Sequence, residues 1–178
     1  MSIPHRRTTR AGFCALRVLS IIGIAASLAC LCRFAFAALP SDPFQRCATK
    51  ALRGDFPGAP KWKLDVYARG LALGVRTEHT FLVTAYLGTE PDGRVDRRGN
   101  RCTWKTAASN RLPYGMHVWT EQWGIRQIRD CGAKSNDRKA DRAGCTSWLD
   151  IWFPTASAAR AAGCDSWIPT PGAVIPNE

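Results

Sequence analysis

The 178-residue sequence contains few histidines and methionines, three and two respectively, and no Cys-x-x-Cys pair. Only His79 and His117 lie beyond the first 37 residues, and we interpret both as surface or strand-end residues. A zinc site is therefore not expected. A Gly-x-Ser-x-Gly motif is also absent, which removes the usual support for a Ser-His-Asp triad. The sequence also has no internal repeat or low-complexity block, so we predict a globular protein. We expect it to use no metal or cofactor.

Acidic residues are absent from the first 37 positions, where four arginines precede an apolar run over residues 18–31. This run is shorter than the roughly 20 residues that a membrane-spanning helix needs. Residues 35–37 (Ala-Phe-Ala) form a small-x-small cleavage pattern. We therefore predict a signal peptide, a secreted or periplasmic (cell-envelope) location, and no stable membrane span after cleavage. An uncleaved anchor, or lipidation at Cys30, is the alternative.

Removal of this segment lowers the formal net charge from +11 to +6, because it holds five of the 25 basic residues and none of the 14 acidic ones. A moderate basic excess suits an anionic partner such as a cell wall or a membrane surface. The basic residues are scattered and no nucleic-acid motif accompanies them, so a nucleic-acid partner is not expected. Roughly 140 residues remain, enough for one domain with a substantial core.

Five of the eight cysteines lie after the predicted cleavage site: Cys47, Cys102, Cys131, Cys145 and Cys164. In an oxidising compartment such cysteines usually form disulfides, so we expect two bridges and one remaining thiol. The preferred pair is Cys131 with Cys145, since both fall within one polar segment. Closing a loop of about 15 residues would contribute roughly 3 kcal/mol in the chain-entropy model.

The order of patterns along the chain indicates short strands with one or two short helices. Residues 38–78 are interpreted as an N-terminal arm or linker with a possible helix over 61–69, which Gly70 would end. Residues 79–168 are assigned to the barrel and residues 169–178 to a Pro-rich surface tail. Within the barrel we predict strands at 80–87, 116–121, 125–130 and 147–153, loops at 88–100 and 106–115, a polar insertion at 131–146, and a helix over 156–162 between Thr155 and Gly163.

The strand over residues 147–153 has two different faces, because side chains alternate along a strand. One face is wholly apolar and suited to a core: Leu149, Ile151 and Phe153. The other face holds Asp150 between Trp148 and Trp152, which is unusual for a solvated strand. We interpret it as an active or binding site for a saccharide. The alternative is a structural aspartate beside a second buried face.

Several short motifs come in a recognisable order: Val83-Thr84-Ala85-Tyr86, Leu112-Pro113-Tyr114-Gly115, Asp130-Cys131-Gly132, Leu149-Asp150-Ile151-Trp152-Phe153 and residues 158–163. They resemble the three-aspartate (3D) domain, which occurs in the membrane-bound lytic transglycosylase A family and in small bacterial wall enzymes. Residues 106–115 are also similar to the barrel of rare lipoprotein A. The resemblance covers roughly residues 80–165. It implies an all-β fold, a six-stranded double-psi β-barrel, that acts on peptidoglycan or a related polysaccharide.

The resemblance assigns roles to individual positions. Asp150 falls on the aspartate that serves as acid/base, and Asp130 falls on the aspartate of an Asp-x-Gly-Gly turn whose second glycine is here Ala133. The first aspartate of the family corresponds to Ala108. Ser109 stands where rare lipoprotein A has a histidine. One aspartate of three is thus missing, and the segment between the other two is longer than in the family.

The leading hypothesis is lytic transglycosylase-like cleavage of glycan strands, with Asp150 as the acid/base and Asp130 in support. Burial beside tryptophan raises the pKa of a carboxyl group, as for the lysozyme glutamate, and would keep a lone acid protonated. The expected substrate-binding residues are Trp148, Trp152, Tyr86, Ser109 and Trp119. Two alternatives remain: a non-catalytic wall-binding module of expansin-like type, which the replaced aspartate favours, and a secreted effector or inhibitor that acts on a host protein.

Overall fold

The computed structural model of the protein describes residues 39–177. The predicted signal peptide over residues 1–37 lies outside this range. The elements follow in the order α1 (Pro43–Leu52), α2 (Lys61–Ala72), β1 (His79–Leu87), a 3-10 turn (Pro91–Gly93), β2 (Thr106–Ala108), β3 (His117–Thr120), β4 (Gly124–Asp130), α3 (Lys134–Arg142), β5 (Ser147–Phe153), α4 (Ala156–Ala161) and β6 (Ile168–Ile175). In this part of the chain, no helix is long and apolar enough to cross a bilayer.

The six strands close into a barrel in the order β1-β5-β2-β4-β3-β6. The pairs β1–β5 and β2–β4 are parallel, and the other four pairs are antiparallel. Closure leaves no open sheet edge for another chain to extend. The prediction of a small six-stranded β-barrel is confirmed, and the described residues contain four short α-helices where one or two were expected.

The core of the barrel comes from the alternating strands that the sequence predicts. Phe81 and Val83 of β1 and the three apolar residues of β5 are fully buried in one cluster. Helix α4 packs against this cluster through Ala159. Its first turn is capped as expected, because the Thr155 hydroxyl accepts a hydrogen bond from the Ala158 backbone N–H at 3.2 Å. The predicted strands and this helix are confirmed.

The segment interpreted as a linker instead contains helix α1, which covers part of the barrel. Asp42 caps this helix by accepting a hydrogen bond from the Gln45 backbone N–H at 3.0 Å. The same carboxylate accepts from the Thr77 backbone N–H at 2.9 Å, which ties the start of α1 to the segment before β1. Phe44 and Ala48 are fully buried in a second cluster. The linker interpretation was wrong because the prolines and glycines lie at the ends of α1 rather than within it.

Helix α2 runs past the predicted end at Gly70 and stops at Ala72. Gly70 is buried, and a Cβ atom at this position would lie 2.4 Å from the Phe44 ring. This glycine therefore permits close packing of α1 on α2 and does not end the helix. The chain turns at Gly74, which has a φ of +66°.

The predicted Pro-rich tail is in fact strand β6, which completes the barrel between β1 and β3. Pro169 and Pro171 lie in the half of β6 that pairs with β1, whereas pairing with β3 begins at Gly172. A proline is tolerated in a strand where its missing N–H is not needed by a second neighbour. The proline content therefore gave a misleading indication of a surface tail.

The predicted disulfides are absent, since all five cysteines of the described residues are free. Cys131 is exposed, whereas Cys145 is buried in a small cluster with Trp148. Helix α3 occupies most of the segment between them, which was expected to be a polar insertion. Cys47, Cys102 and Cys164 lie at three further places, against Tyr67, against Tyr86 and in the barrel core.

Gly70→Ala tests the packing of α1 on α2. Alanine is the better helix former by about 1 kcal/mol, but its methyl group would overlap the Phe44 ring. We expect the clash to dominate and the free energy of unfolding to fall by about 1–3 kcal/mol in urea denaturation. Combined with Phe44→Leu, the loss should be smaller than the sum of the two single losses. A Gly70→Ala variant at least as stable as the wild type would contradict this packing.

Candidate active site

Four neighbouring strands carry the two predicted acids in one row. Asp150 of β5 pairs with Thr84 of β1 on one side and with Ala108 of β2 on the other. Ala108 in turn pairs with Asp130 of β4. The backbones of the two aspartates are therefore two strands apart, or about 10 Å at the usual strand spacing. Residues 106–108, interpreted as a loop from the sequence, form the fully buried strand β2 that sets this separation.

A short chain of hydrogen bonds holds the Asp150 carboxyl group. The Thr84 hydroxyl donates to Asp150 Oδ1 at 2.8 Å. The Trp148 indole Nε1–H donates to the same hydroxyl oxygen at 2.9 Å. Because the indole occupies the acceptor side of the hydroxyl, the Thr84 proton is directed towards the carboxyl group. The parallel pairing of β1 with β5 thus fixes the orientation of Asp150.

The surroundings of Asp150 favour its protonated form. Burial raises the pKa of this carboxyl group to about 7, because removal from water disfavours the charged state. The hydrogen bond from Thr84 opposes the shift, whereas the negative charges of Glu90 and Asp130 add to it. A pKa near neutrality suits a group that must both donate and accept a proton.

Asp150 opens onto a cavity of about 370 Å³, within the size range of sites for small molecules. The cavity lies beside β1, β5 and α4. Its polar and aromatic lining residues, besides Asp150, are Thr84, Glu90, Asn136, Arg160, Asp165, Ser166 and Trp167. Trp167 is 41% exposed and forms an aromatic part of the lining, with the Lys139 ammonium 4.1 Å from the centroid of its ring.

Asp130 lies outside the lining of this cavity. It is partly buried, and its Oδ1 accepts a hydrogen bond from the Cys131 backbone N–H at 2.9 Å. Burial raises the pKa of Asp130, the Asp96 charge adds to the rise, and the Arg97 backbone N–H and guanidinium oppose it. Asp130 therefore lies close enough for its charge to raise the pKa of Asp150, but its side chain is not part of the Asp150 cavity.

Trp148 is a core residue and not a wall of the cavity. It is only 1% exposed and packs with Leu82, Ala140 and Cys145. A Cβ atom at Gly132 would lie 2.3 Å from its ring, so the turn after β4 closes over the indole. Its polar contribution is the N–H group that holds the Thr84 hydroxyl.

Trp152 lies on the same strand face as Asp150 but lines a different cavity, of about 520 Å³. Its Nε1–H donates to the Gly93 carbonyl at 2.6 Å, which ties it to the loop after β1. Arg94 and Arg101 line the same cavity. The expected arrangement of one acid between two stacking rings is therefore absent.

Trp119 is 2% exposed and packs edge-on against Phe44 with 5.6 Å between the ring centroids. Helix α1 covers this part of β3, so Trp119 has no surface on which a saccharide would stack. This cover was not expected, because the segment that forms α1 was interpreted as an arm or linker.

Tyr86 and Ser109 lie near the row of acids. Burial raises the pKa of the Tyr86 phenol, and the charges of Asp130 and Asp150 raise it further, while its hydroxyl lies 3.6 Å from Cys102 Sγ. Ser109 is buried, with its Oγ 3.2 Å from Ser147 Oγ. Ser109 therefore links the residue after β2 to the start of β5 and does not line the Asp150 cavity.

Sequence reasoning missed Glu90, Arg160, Asp165 and Trp167, which line the Asp150 cavity. Glu90 follows the end of β1, and because β5 is parallel to β1, this end lies beside the end of β5. Glu90 thus reaches the site through the strand pairing, which no local sequence pattern shows. The other three residues belong to α4 or to the loop after it, and no local pattern marks them.

Among the described residues, no group of three or more histidine, cysteine or acidic side chains is placed to hold a metal ion. No protein-family model matches the chain, and no curated protein matches it significantly.

Glu90→Gln and Thr84→Val test the origin of the Asp150 pKa. Loss of the Glu90 charge should lower this pKa, and loss of the Thr84 hydroxyl should raise it above about 7. The measurement is an NMR pH titration of the carboxyl carbon. Thr80→Val, on the exposed start of the same strand, is the matched control and should leave the midpoint unchanged. A wild-type midpoint near the ordinary value of 3.8 would contradict the account.

Proposed function

We propose that the protein is a secreted peptidoglycan-active enzyme that cleaves glycan strands in the manner of a lytic transglycosylase. The observation that carries the proposal is Asp150, a hydrogen-bonded carboxyl group whose pKa burial raises to about 7, at the wall of an open cavity. The 3D-domain resemblance supplies the reaction class, and its double-psi assignment stays a prediction.

The chemistry needs one group that first gives and then takes a proton. Protonated Asp150 donates to the glycosidic oxygen as the bond to the anomeric carbon breaks. The resulting Asp150 carboxylate then accepts the proton of the muramic 6-hydroxyl group. At the same time, the oxygen of this hydroxyl group bonds to the anomeric carbon. The products are a shortened strand and a 1,6-anhydro end, and Asp150 is again protonated without consumption of water.

Neighbouring residues have supporting roles in this scheme. Thr84 orients the carboxyl group, and the buried Trp148 positions Thr84. Trp167 offers an apolar surface for a sugar ring on the exposed side of the cavity. Glu90 lines the same cavity, and its charge helps Asp150 to retain its proton at neutral pH.

A second function, a non-catalytic wall-binding module of expansin-like type, is favoured by Ala108. This residue lies between Asp130 and Asp150 in the sheet, at the position where the resembling family carries an aspartate. The site then contains fewer carboxyl groups than the family pattern, while the cavity beside Asp150 is still open for a ligand.

Digestion of purified peptidoglycan tests the two functions. The wild type should release anhydromuropeptides, detected by mass spectrometry, with a rate that falls above about pH 7 as Asp150 loses its proton. Asp150→Asn should reduce release by about 100-fold or more. Asp130→Asn should retain part of the activity, and Asp55→Asn, at an exposed acid, is the matched control.

Unchanged release by Asp150→Asn would contradict the assignment of the acid. Products with reducing ends instead of anhydro ends would indicate hydrolysis. No release by the wild type, together with its sedimentation with insoluble peptidoglycan, would favour the binding module.

A further inference from the structure

Arg126 of β4 is a buried cation without an acidic partner in the described part of the chain. It is only 7% exposed. Its Nη1 donates to the carbonyl oxygens of Trp123, at 2.5 Å, and Ile125, at 3.0 Å. Its Nε has no hydrogen-bond partner, and none of the ion pairs between described residues includes it.

Such an arrangement is costly unless an anion completes it. Burial lowers the pKa of Arg126 to about 10, so the guanidinium still carries its charge at neutral pH. Buried charges in proteins are normally paired with an opposite charge, and two carbonyl dipoles compensate only part of the lost hydration. A guanidinium also presents a planar set of donors that matches a carboxylate or phosphate.

Arg126 lines an open cavity of about 450 Å³ that is distinct from the Asp150 cavity. The other lining residues are Pro60, Trp62, Lys63, Trp104 and Lys105, with no acid among them. The Lys63 and Lys105 ammonium groups lie 5.7 and 4.8 Å from the centroid of the Trp62 ring. Trp62 thus keeps two further cations beside Arg126. Burial, and then the Arg126 charge, lower the pKa of Lys63, as expected for cations that lack an anion.

Trp104 adds a flat apolar surface at the mouth of this cavity. Trp104 is 52% exposed, which is a high value for a large apolar residue. Its ring is fixed by edge-on contacts with Trp152 and Phe153, at centroid distances of 6.1 and 5.6 Å. A half-exposed indole that lines one cavity together with three cations is suited to a ligand that combines a ring with an anionic group.

We propose that this cavity binds an oxyanion carried on a sugar ring, the chemistry of an acidic saccharide. Arg126, Lys63 and Lys105 hold the carboxylate or phosphate, and Trp104 stacks on the ring. The proposal does not depend on the function assigned to Asp150, since the two cavities share no lining residue.

Calorimetric titration with four probes tests the proposal: N-acetylmuramic acid, N-acetylglucosamine 6-phosphate, N-acetylglucosamine and inorganic phosphate. At least one of the two acidic sugars should bind tenfold or more tightly than the neutral sugar and than inorganic phosphate. Which acid binds more tightly distinguishes a carboxylate source from a phosphate source. Equal binding of neutral and acidic sugars, or no binding of either acidic sugar, would overturn the proposal.

Variants locate the binding. Lys105→Gln changes an exposed residue and should weaken binding of the acidic sugar about tenfold, whereas Lys134→Gln, at an exposed lysine on α3, should leave this binding unchanged. Trp104→Ala should weaken the acidic sugar but not inorganic phosphate. Arg126→Met should abolish binding, and if this variant fails to fold, Lys105→Gln decides alone. Loss of binding in Asp150→Asn, or full binding in Lys105→Gln, would place the ligand elsewhere and contradict the proposal.

Discussion

Parallel pairing of β1 with β5 brings Thr84 beside Asp150, while the buried Trp148 indole holds the Thr84 hydroxyl from its other side. The carboxyl group is thereby fixed in one orientation in surroundings that disfavour its charge. The barrel supplies this pairing without an exposed edge, and α3 supplies the cover over Trp148 through Ala140. Position and protonation of the acid therefore follow from the same set of contacts.

The strands that form the barrel core were accessible from the sequence because their side chains alternate in hydrophobicity. The apolar face of β5, the inward residues of β1 and the cap of α4 at Thr155 all follow from local patterns. Asp150 could also be identified from the sequence as a candidate site residue, since a lone acid between two tryptophans on one strand face is unusual. These features depend on residues that are close together along the chain.

The features that sequence reasoning missed depend on contacts between distant segments. Gly70 resembles a helix end, but its role is to admit the Phe44 ring from another helix. Trp148 and Trp119 resemble sugar-stacking residues, but α3 and α1 bury them. The two prolines of β6 suggested a tail. They are tolerated in this strand because the half of β6 that contains them pairs only with β1, and a local sequence pattern does not show this pairing. Glu90 joins the site only through the parallel alignment of β1 and β5.

The fold keeps Asp150 protonated near neutral pH, and the free energy of unfolding of the wild type and of Asp150→Asn, measured between pH 4 and pH 8, tests this directly. A carboxyl group with a raised pKa in the folded state stabilises the fold at low pH, and this contribution is lost as the pH rises through about 7. We expect Asp150→Asn to gain stability relative to the wild type as the pH increases over this range, by about 1 kcal/mol or more. A difference between the two proteins that is constant from pH 4 to pH 8 would contradict it.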